Sequence, residues 1–351
     1  MKTGLALLVA TLTFVTAAQQ PAAPVFDVAT KKQVIDGAID HMRRAYIFAD
    51  VAEKMAEALR AHDAARAYEA ITTPREFAET LTRHLQEVSR DKHLRIMYAA
   101  DGFPQRAAPT PADRARGLAE ERRRNFGFQR VERLEGNVGY IELLGFSGSQ
   151  EVAEAAVPAM NFLANADALI FDLRRNGGGS PVTIGLLSSY LFDEVVHLND
   201  FYIRETDRRE EFFTKATVEG RKFGATKPVY VLTSNRTFSA AEEFTYNLKT
   251  LKRATIVGET SGGGAHPGGV RRITEQFGIW LPNGRAINPI TKTNWEGVGI
   301  EPDIKTTAPE ALRAAHLAAL KKIRETATET RHREELDRAI ATLEKAAGSQ
   351  L

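Results

Sequence analysis

The apolar run Ala168-Leu169-Ile170-Phe171-Asp172-Leu173 leads directly into the polar turn Arg174-Arg175-Asn176-Gly177-Gly178-Gly179. The run has the length and residue types of a strand that is buried on both faces. A second apolar run, Pro228-Val229-Tyr230-Val231-Leu232, has the same character. Such strands alternate with helical stretches over residues 136–306, and this order predicts an α/β layer domain.

The segments on either side of this core are predicted to be largely helical. Apolar residues recur every three or four positions over residues 26–98, which predicts a small N-terminal helical domain ending in a strand at His93–Tyr98. Residues 99–135 hold several prolines among alanines and charges, and are predicted to be a linker with one short helix. Residues 307–351 are rich in Ala, Leu, Lys and Glu and are predicted to form C-terminal helices.

The first 18 residues have the pattern of a secretory signal peptide. Lys2 supplies a positive start, residues 4–15 are largely apolar, and small residues mark an expected cleavage after Ala17 or Ala18. The apolar run is shorter than the roughly 20 residues needed to span a bilayer. The sequence therefore predicts export, to the periplasm or outside the cell, and no membrane span.

Composition excludes several classes of protein. The chain has 351 residues, 47 Lys and Arg against 45 Asp and Glu, and no cysteine. The charges are mixed, and the densest basic run, Arg122-Arg123-Arg124, directly follows two glutamates, so no nucleic-acid partner is predicted. The lack of cysteine excludes disulfides, thiol catalysis and thiolate metal sites. The histidines and carboxylates show no metal-ligand spacing, so neither a metal nor another cofactor is predicted.

Two turns that follow buried strands carry candidate chemistry. Three successive glycines, Gly177–Gly179, let the backbone approach a ligand and aim its amides at an anion, although a flexible turn would also explain them. Ser239 stands at a predicted helix start, where the helix N-terminus and the amide of Ala240 favour developing negative charge. The spacing Ser239-x-x-Glu242 is also that of a capping box, which requires no catalysis.

A serine nucleophile needs a base, and the chain has eight histidines. His93 lies at a helix-to-strand junction, and His266 lies in the glycine-rich loop Ser261–Gly268. His197 is in a predicted strand. The other five lie in charged helical stretches and are predicted to face solvent: His41, His62, His84, His316 and His332.

Four motifs occur in order along the chain: Asp172-Leu173-Arg174-x-Asn176-Gly177-Gly178-Gly179, Thr237-Phe238-Ser239-Ala240-Ala241-Glu242, Gly258-Glu259-Thr260 and Gly297-Val298-Gly299-Ile300-Glu301-Pro302-Asp303. Together, over about residues 30–305, they resemble the C-terminal processing (tail-specific) serine peptidases, in the branch with the tricorn core and the interphotoreceptor retinoid-binding protein domains. The resemblance implies a crotonase- or ClpP-like α/β core and no cofactor. It implies Ser239 as nucleophile, with an oxyanion hole from Gly177 or Gly178 and the amide of Ala240.

The resemblance also implies which group serves as the base. The better-known branch uses a lysine, and its position is occupied here by Gly264, which rules against a Ser-Lys dyad. The tricorn-like branch uses an N-terminal histidine and a glutamate near the last core strand. The segments Asp91-Lys92-His93-Leu94 and Trp295-Glu296-Gly297-Val298-Gly299 are similar to those two. His93 is therefore predicted as general base and Glu296 as a supporting group, with His266 as the rival base.

The sequence as a whole predicts an exported serine peptidase that acts on unfolded proteins or peptides through an acyl-enzyme on Ser239. Residues 99–135 are too few for the PDZ module with which many tail-specific peptidases select their substrates. One alternative is a non-catalytic protein that binds an apolar ligand in the same core. Another is a structural partner protein, suggested by the charged helices after Pro309. The sequence is also compatible with a homo-oligomer.

Overall fold

The computed structural model describes residues 26–104 and 109–348; the predicted signal peptide, residues 1–18, lies outside the described residues. The helices are α1 (Val28–Ala45), α2 (Ala49–Ala64), α3 (Pro74–Ser89), α4 (Pro111–Arg123), α5 (Ala153–Phe162), α6 (Pro181–Ser189), α7 (Ala240–Thr250), α8 (Ala311–Thr326) and α9 (Thr330–Gly348). The strands are β1 (Arg95–Tyr98), β2 (Phe128–Leu134), β3 (Val138–Leu143), β4 (Ala168–Asp172), β5 (His197–Ile203), β6 (Arg208–Phe213), β7 (Val229–Thr233), β8 (Thr255–Gly258), β9 (Gly268–Arg272), β10 (Phe277–Pro282), β11 (Gly284–Ile287) and β12 (Ile304–Lys305).

A six-stranded sheet with the order β12-β8-β7-β4-β3-β2 forms the centre of the molecule. All neighbouring strands are parallel except β2, which pairs antiparallel with β3 at one edge. The two apolar runs that predicted the fold are β4 and β7, which are adjacent and buried along their whole length. The α/β prediction is confirmed. Because parallel strands end at the same edge of a sheet, the turns after β4 and β7 lie together.

Helices cover both faces of this sheet. On one face, α5, α6 and α7 pack against Leu169 and Phe171 of β4. On the other face, Ile170 of the same strand packs with the C-terminal helices α8 and α9, because successive side chains of a strand point to opposite faces. The C-terminal helices predicted after residue 307 are therefore part of the hydrophobic core.

The N-terminal helices α1, α2 and α3 pack on a second sheet, with the order β1-β10-β9. Helix α3 begins directly after Thr73, whose hydroxyl caps it by accepting the Glu76 N–H at 3.3 Å. Strand β1 pairs with β10 in the register Arg95↔Trp280, so a strand that follows the N-terminal helices shares a sheet with residues 268–282. This pairing places the segment just before β1, which holds His93, beside the loop that leads into β9.

Two features of the structure differ from those predicted from the sequence. Residues 128–134 fell within the predicted linker but form β2, an edge strand of the central sheet. His84 was predicted to face solvent but is buried, with its Nδ1 3.0 Å from the hydroxyl of Tyr68, which gives the ring a polar partner inside the helical domain. None of the helices in the described ranges combines the length and apolar character needed to cross a bilayer.

Candidate active site

Ser239 lies at the turn between β7 and α7, at the helix N-cap, as predicted. Its backbone has φ 55° and ψ −122°, a conformation that costs a non-glycine residue about 1–3 kcal/mol. A strained strand-to-helix turn also exposes the nucleophilic serine of α/β-hydrolases. The turn after β4 packs closely on it, because a Cβ added to Gly178 would lie 2.7 Å from the Cβ of Ser239. The glycine run therefore allows a close backbone approach to Ser239.

A cavity of about 320 Å³ opens beside Ser239. His93, the predicted base, and His266, its rival, both line it, as does Ala240. The third sheet, with the order β11-β5-β6, contributes part of the wall through Phe201. The structure therefore brings together a serine and two histidines that are distant in sequence. A cavity of this size is at the lower end of those that bind small ligands.

His93 is buried, and its ring packs against Phe238 with 4.5 Å between ring centroids. Burial lowers the pKa of His93 to about 4, although the negative charge of the nearby Asp91 carboxylate acts to raise it. The ring is therefore neutral at pH 7 and has a lone pair for a proton. Within the described ranges, its buried Nδ1 has no hydrogen-bond partner.

Asp91 contacts both histidines, and the sequence did not predict a role for it. One of its oxygens, Oδ1, accepts the backbone N–H of His93 at 3.0 Å. The other, Oδ2, lies 2.8 Å from Nδ1 of His266 and accepts the hydroxyl of Tyr46 at 3.2 Å. The only signal in the sequence was its position two residues before His93. Asp91 therefore orients the backbone of one histidine and the ring of the other.

Glu296, the predicted supporting group, reaches the same cluster. Its Oε2 accepts the Ala265 N–H at 2.5 Å and lies 3.6 Å from Nδ1 of His266. Burial raises the pKa of Glu296 to about 7; Asp91 adds to the rise, and His266 opposes it. Asp91, His93 and Glu296 each bring one nitrogen or oxygen atom within 4.8 Å of the others. Such a trio can orient a base and share a proton, and it is also a set that could hold a metal ion, which the sequence spacing did not indicate.

The residues predicted to form the oxyanion hole do not all line the cavity beside Ser239. Ala240 is the first residue of α7 and lines the cavity. The amide of Gly178 donates to Oδ1 of Asn176 at 2.9 Å. Gly177 is exposed, and among the residues of this turn it is Gly179 that lines the cavity beside Ser239. The turn therefore places backbone amides near the serine, although the Gly178 amide is already hydrogen-bonded.

Glu242 does more than the predicted capping box requires. Its Oε2 accepts the N–H of Ser239 at 2.9 Å and that of Gly264 at 2.8 Å. Its Oε1 accepts the Ser261 hydroxyl and the Gly263 N–H, both at 2.6 Å. Burial raises the pKa of Glu242, and these hydrogen bonds oppose the rise. This buried carboxyl fastens the loop that carries His266 to the helix start that carries Ser239, a role that local spacing did not indicate.

Two family models match the chain. Peptidase family S41 matches residues 137–306, and the N-terminal domain of Peptidase_S41 in eukaryotic IRBP matches residues 25–125. The first match covers the central sheet, except its edge strand β2, with Ser239 and Glu296, and the second covers the helical domain with His93. The two models therefore meet at the cavity described above.

Curated relatives share a similar part of the chain. Carboxyl-terminal-processing peptidase 1, chloroplastic, from Arabidopsis thaliana is 29% identical over 187 residues, which cover 52% of this chain and 36% of that protein. Carboxy-terminal-processing protease from Bartonella bacilliformis is 25% identical over 187 residues, covering 50% of this chain and 40% of that protein. The chain thus matches well under two thirds of the length of these relatives.

Solved structures share the fold. A candidate peptidase from Parabacteroides merdae is 18% identical with a TM-score of 0.59, covering 85% of this chain and 99% of that chain. The tricorn protease is 14% identical with a TM-score of 0.51, covering 84% of this chain and 37% of that chain. The two family models and the curated relatives agree, and residues 137–306 belong to peptidase family S41, the C-terminal processing peptidases, with the N-terminal domain of that family at residues 25–125.

Proposed function

We propose that this chain is a serine peptidase that hydrolyses peptide bonds through an acyl-enzyme on Ser239. The observation that carries the proposal is the shared cavity, in which a serine with a strained backbone meets the neutral imidazole of His93, itself clustered with Glu296. Membership of a peptidase family supports the same class of reaction. A pocket that only bound an apolar ligand would have no need of this set of residues.

The proposed chemistry follows from the position of each group. The Oγ of Ser239 attacks the substrate carbonyl carbon while His93 takes the hydroxyl proton, and His93 then returns that proton to the leaving amine. Water attacks the acyl-enzyme in the second half-reaction, with His93 again as base. Glu296, when ionised, stabilises the imidazolium that forms in each half.

The oxyanion is proposed to bind at the N-terminus of α7. The amide of Ala240 is one donor, and the helix dipole there favours negative charge. The second donor is proposed to come from the Gly177–Gly179 turn. Gly178 would have to share or release its bond to Asn176, whereas Gly179 already faces the cavity.

Peptides and unfolded segments are the proposed substrates, because a cavity of about 320 Å³ accepts single side chains and not a folded surface. The relatives are named for carboxyl-terminal processing, so chain ends are the first segments to test. Export, to the periplasm or outside the cell, is proposed on the pattern of residues 1–18.

The decisive experiment incubates a mixed peptide library, with free and amidated C-termini, with the wild-type protein and with Ser239→Ala, and reads the products by mass spectrometry. We expect cleavage by the wild type and none by Ser239→Ala, since the acyl-enzyme cannot form. Ser149→Ala, which removes a partly exposed hydroxyl outside the cavity, is the matched control and should cleave normally. Equal cleavage by folded Ser239→Ala would refute the proposal, and saturable binding of an apolar ligand without any cleavage would favour the binding-protein alternative.

A further inference from the structure

The cavity contains a second buried carboxyl that the mechanism above does not use. Glu243 is only 3% exposed and lines the cavity together with Ser239. Its backbone N–H donates to the carbonyl oxygen of Ser239 at 2.9 Å, one helical turn away, so the two residues lie on the same side of α7. A buried acid next to the attacking serine calls for an explanation.

Glu243 lacks the cation that usually accompanies a buried carboxylate. In the described part of the chain, no Lys, Arg or His pairs with it, and burial raises its pKa to about 8. Asn199 is close enough to oppose that rise in pKa, yet Asn199 is itself fully buried, and among the described residues neither of its amide atoms has a hydrogen-bond partner. Asn199 therefore has unused hydrogen-bonding capacity beside Glu243.

The walls of the cavity fit a long side chain with a positive end. Glu210 of β6 adds a second carboxylate to the lining, and no lysine or arginine is among the described residues that form it. Four aromatic side chains supply flat apolar surface: Phe201, Phe212, Trp280 and Trp295. Aromatic faces attract both the methylene stem and the charged end of a basic side chain.

We propose that this cavity is the P1 pocket, which holds the substrate side chain just before the cleaved bond, and that Glu243 makes it select lysine or arginine. The inference rests on the proposed peptidase function and adds its specificity. Glu243 binds the substrate side chain and transfers no proton in the reaction. The entering cation supplies the missing partner of the Glu243 carboxylate.

The test uses peptides that are identical except for lysine, norleucine or glutamate at P1. Their binding to the full-length Ser239→Ala protein is measured by fluorescence anisotropy, and their cleavage by the wild type is measured in parallel. We expect the lysine peptide to bind roughly 30-fold more tightly than the norleucine peptide, as a desolvated charge pair would give. Glu243→Gln should remove that preference and leave norleucine binding unchanged, while the exposed control Glu211→Gln should keep it.

A second measurement needs no variant at Glu243. Benzamidine, a cation, should compete with the lysine peptide at least tenfold better than benzamide, its neutral analogue. Equal binding of the lysine and norleucine peptides, or a preference that survives in Glu243→Gln, would overturn the inference. Lysine-selective binding without Ser239-dependent cleavage would refute the peptidase proposal alone. Ser239-dependent cleavage without any lysine preference would refute the pocket assignment alone.

Discussion

Nδ1 of His266 lies 2.8 Å from Oδ2 of Asp91, across 175 positions of sequence. This contact separates the roles of the two histidines in the cavity. The His266 ring is held by carboxylates at Nδ1, and Phe48 packs edge-on against it with 5.4 Å between centroids. Among the described residues, the buried Nδ1 of the His93 ring has no hydrogen-bond partner. Carboxylates thus fix the orientation of the His266 ring at Nδ1, whereas the proposed base, His93, is unpaired at the corresponding nitrogen.

The first prediction distinguishes the two candidate bases. We expect His93→Ala to lower kcat/KM by about 10²–10⁴-fold, because general-base catalysis is lost. His266→Ala should lower it less, because Asp91 loses a partner but the proton acceptor remains. The kinetics of both variants with one peptide, alongside their unfolding temperatures, make the comparison. A larger loss in folded His266→Ala would exchange the two roles.

The second prediction concerns the pH dependence of catalysis. The raised pKa of Glu296, about 7, means that this carboxyl is protonated below pH 7 and ionised above it. His93 is neutral throughout this range, since its pKa is about 4. If ionised Glu296 stabilises the imidazolium, kcat/KM should rise as the pH increases through about 7.

The matched variant for this prediction is Glu296→Gln, which keeps the shape of the side chain but cannot ionise. We expect it to be less active than the wild type and to show no inflection near pH 7. The measurement is kcat/KM from pH 5.5 to 9 for both proteins. An unchanged inflection in the variant would assign the titration to another group and remove Glu296 from the mechanism.

The third prediction uses two glycines of the same segment. A Cβ at Gly264 would lie 2.2 Å from Cζ of Phe238 and 2.8 Å from Cε1 of His93, so both rings would have to move. At Gly269 an added Cβ would meet nothing within 4 Å. We expect Gly264→Ala to lose about 10²-fold in kcat/KM, since a shift of about 1 Å in a catalytic group has that effect.

Gly269→Ala is the control and should retain the activity of the wild type. Circular dichroism and thermal unfolding of both variants would show whether Gly264→Ala keeps its fold. Full activity in Gly264→Ala would mean that the position of the His93 ring is not critical, which would weaken its assignment as the base.

Local patterns in the sequence predicted the architecture and the position of Ser239. The runs that became β4 and β7 are apolar at almost every position, as expected for strands buried on both faces of a sheet. Ser239 was placed at a helix start because a polar turn and a helical pattern follow β7 directly. These features depend on neighbouring residues, so they can be read along the chain.

The cluster of acids and histidines around Ser239 depends on tertiary structure. His93 reaches the cavity because β1 pairs with β10, and Asp91 meets His266 and Glu296 only after that pairing. Glu242 and Glu243 are adjacent in sequence, yet one fastens the loop before β9 and the other lines the cavity. Strand register and side-chain packing between distant segments decide these contacts. Local sequence patterns are enough to place the helices and strands and to put Ser239 at the start of α7, whereas the acids and bases around it come together only on folding, because they lie far apart along the chain.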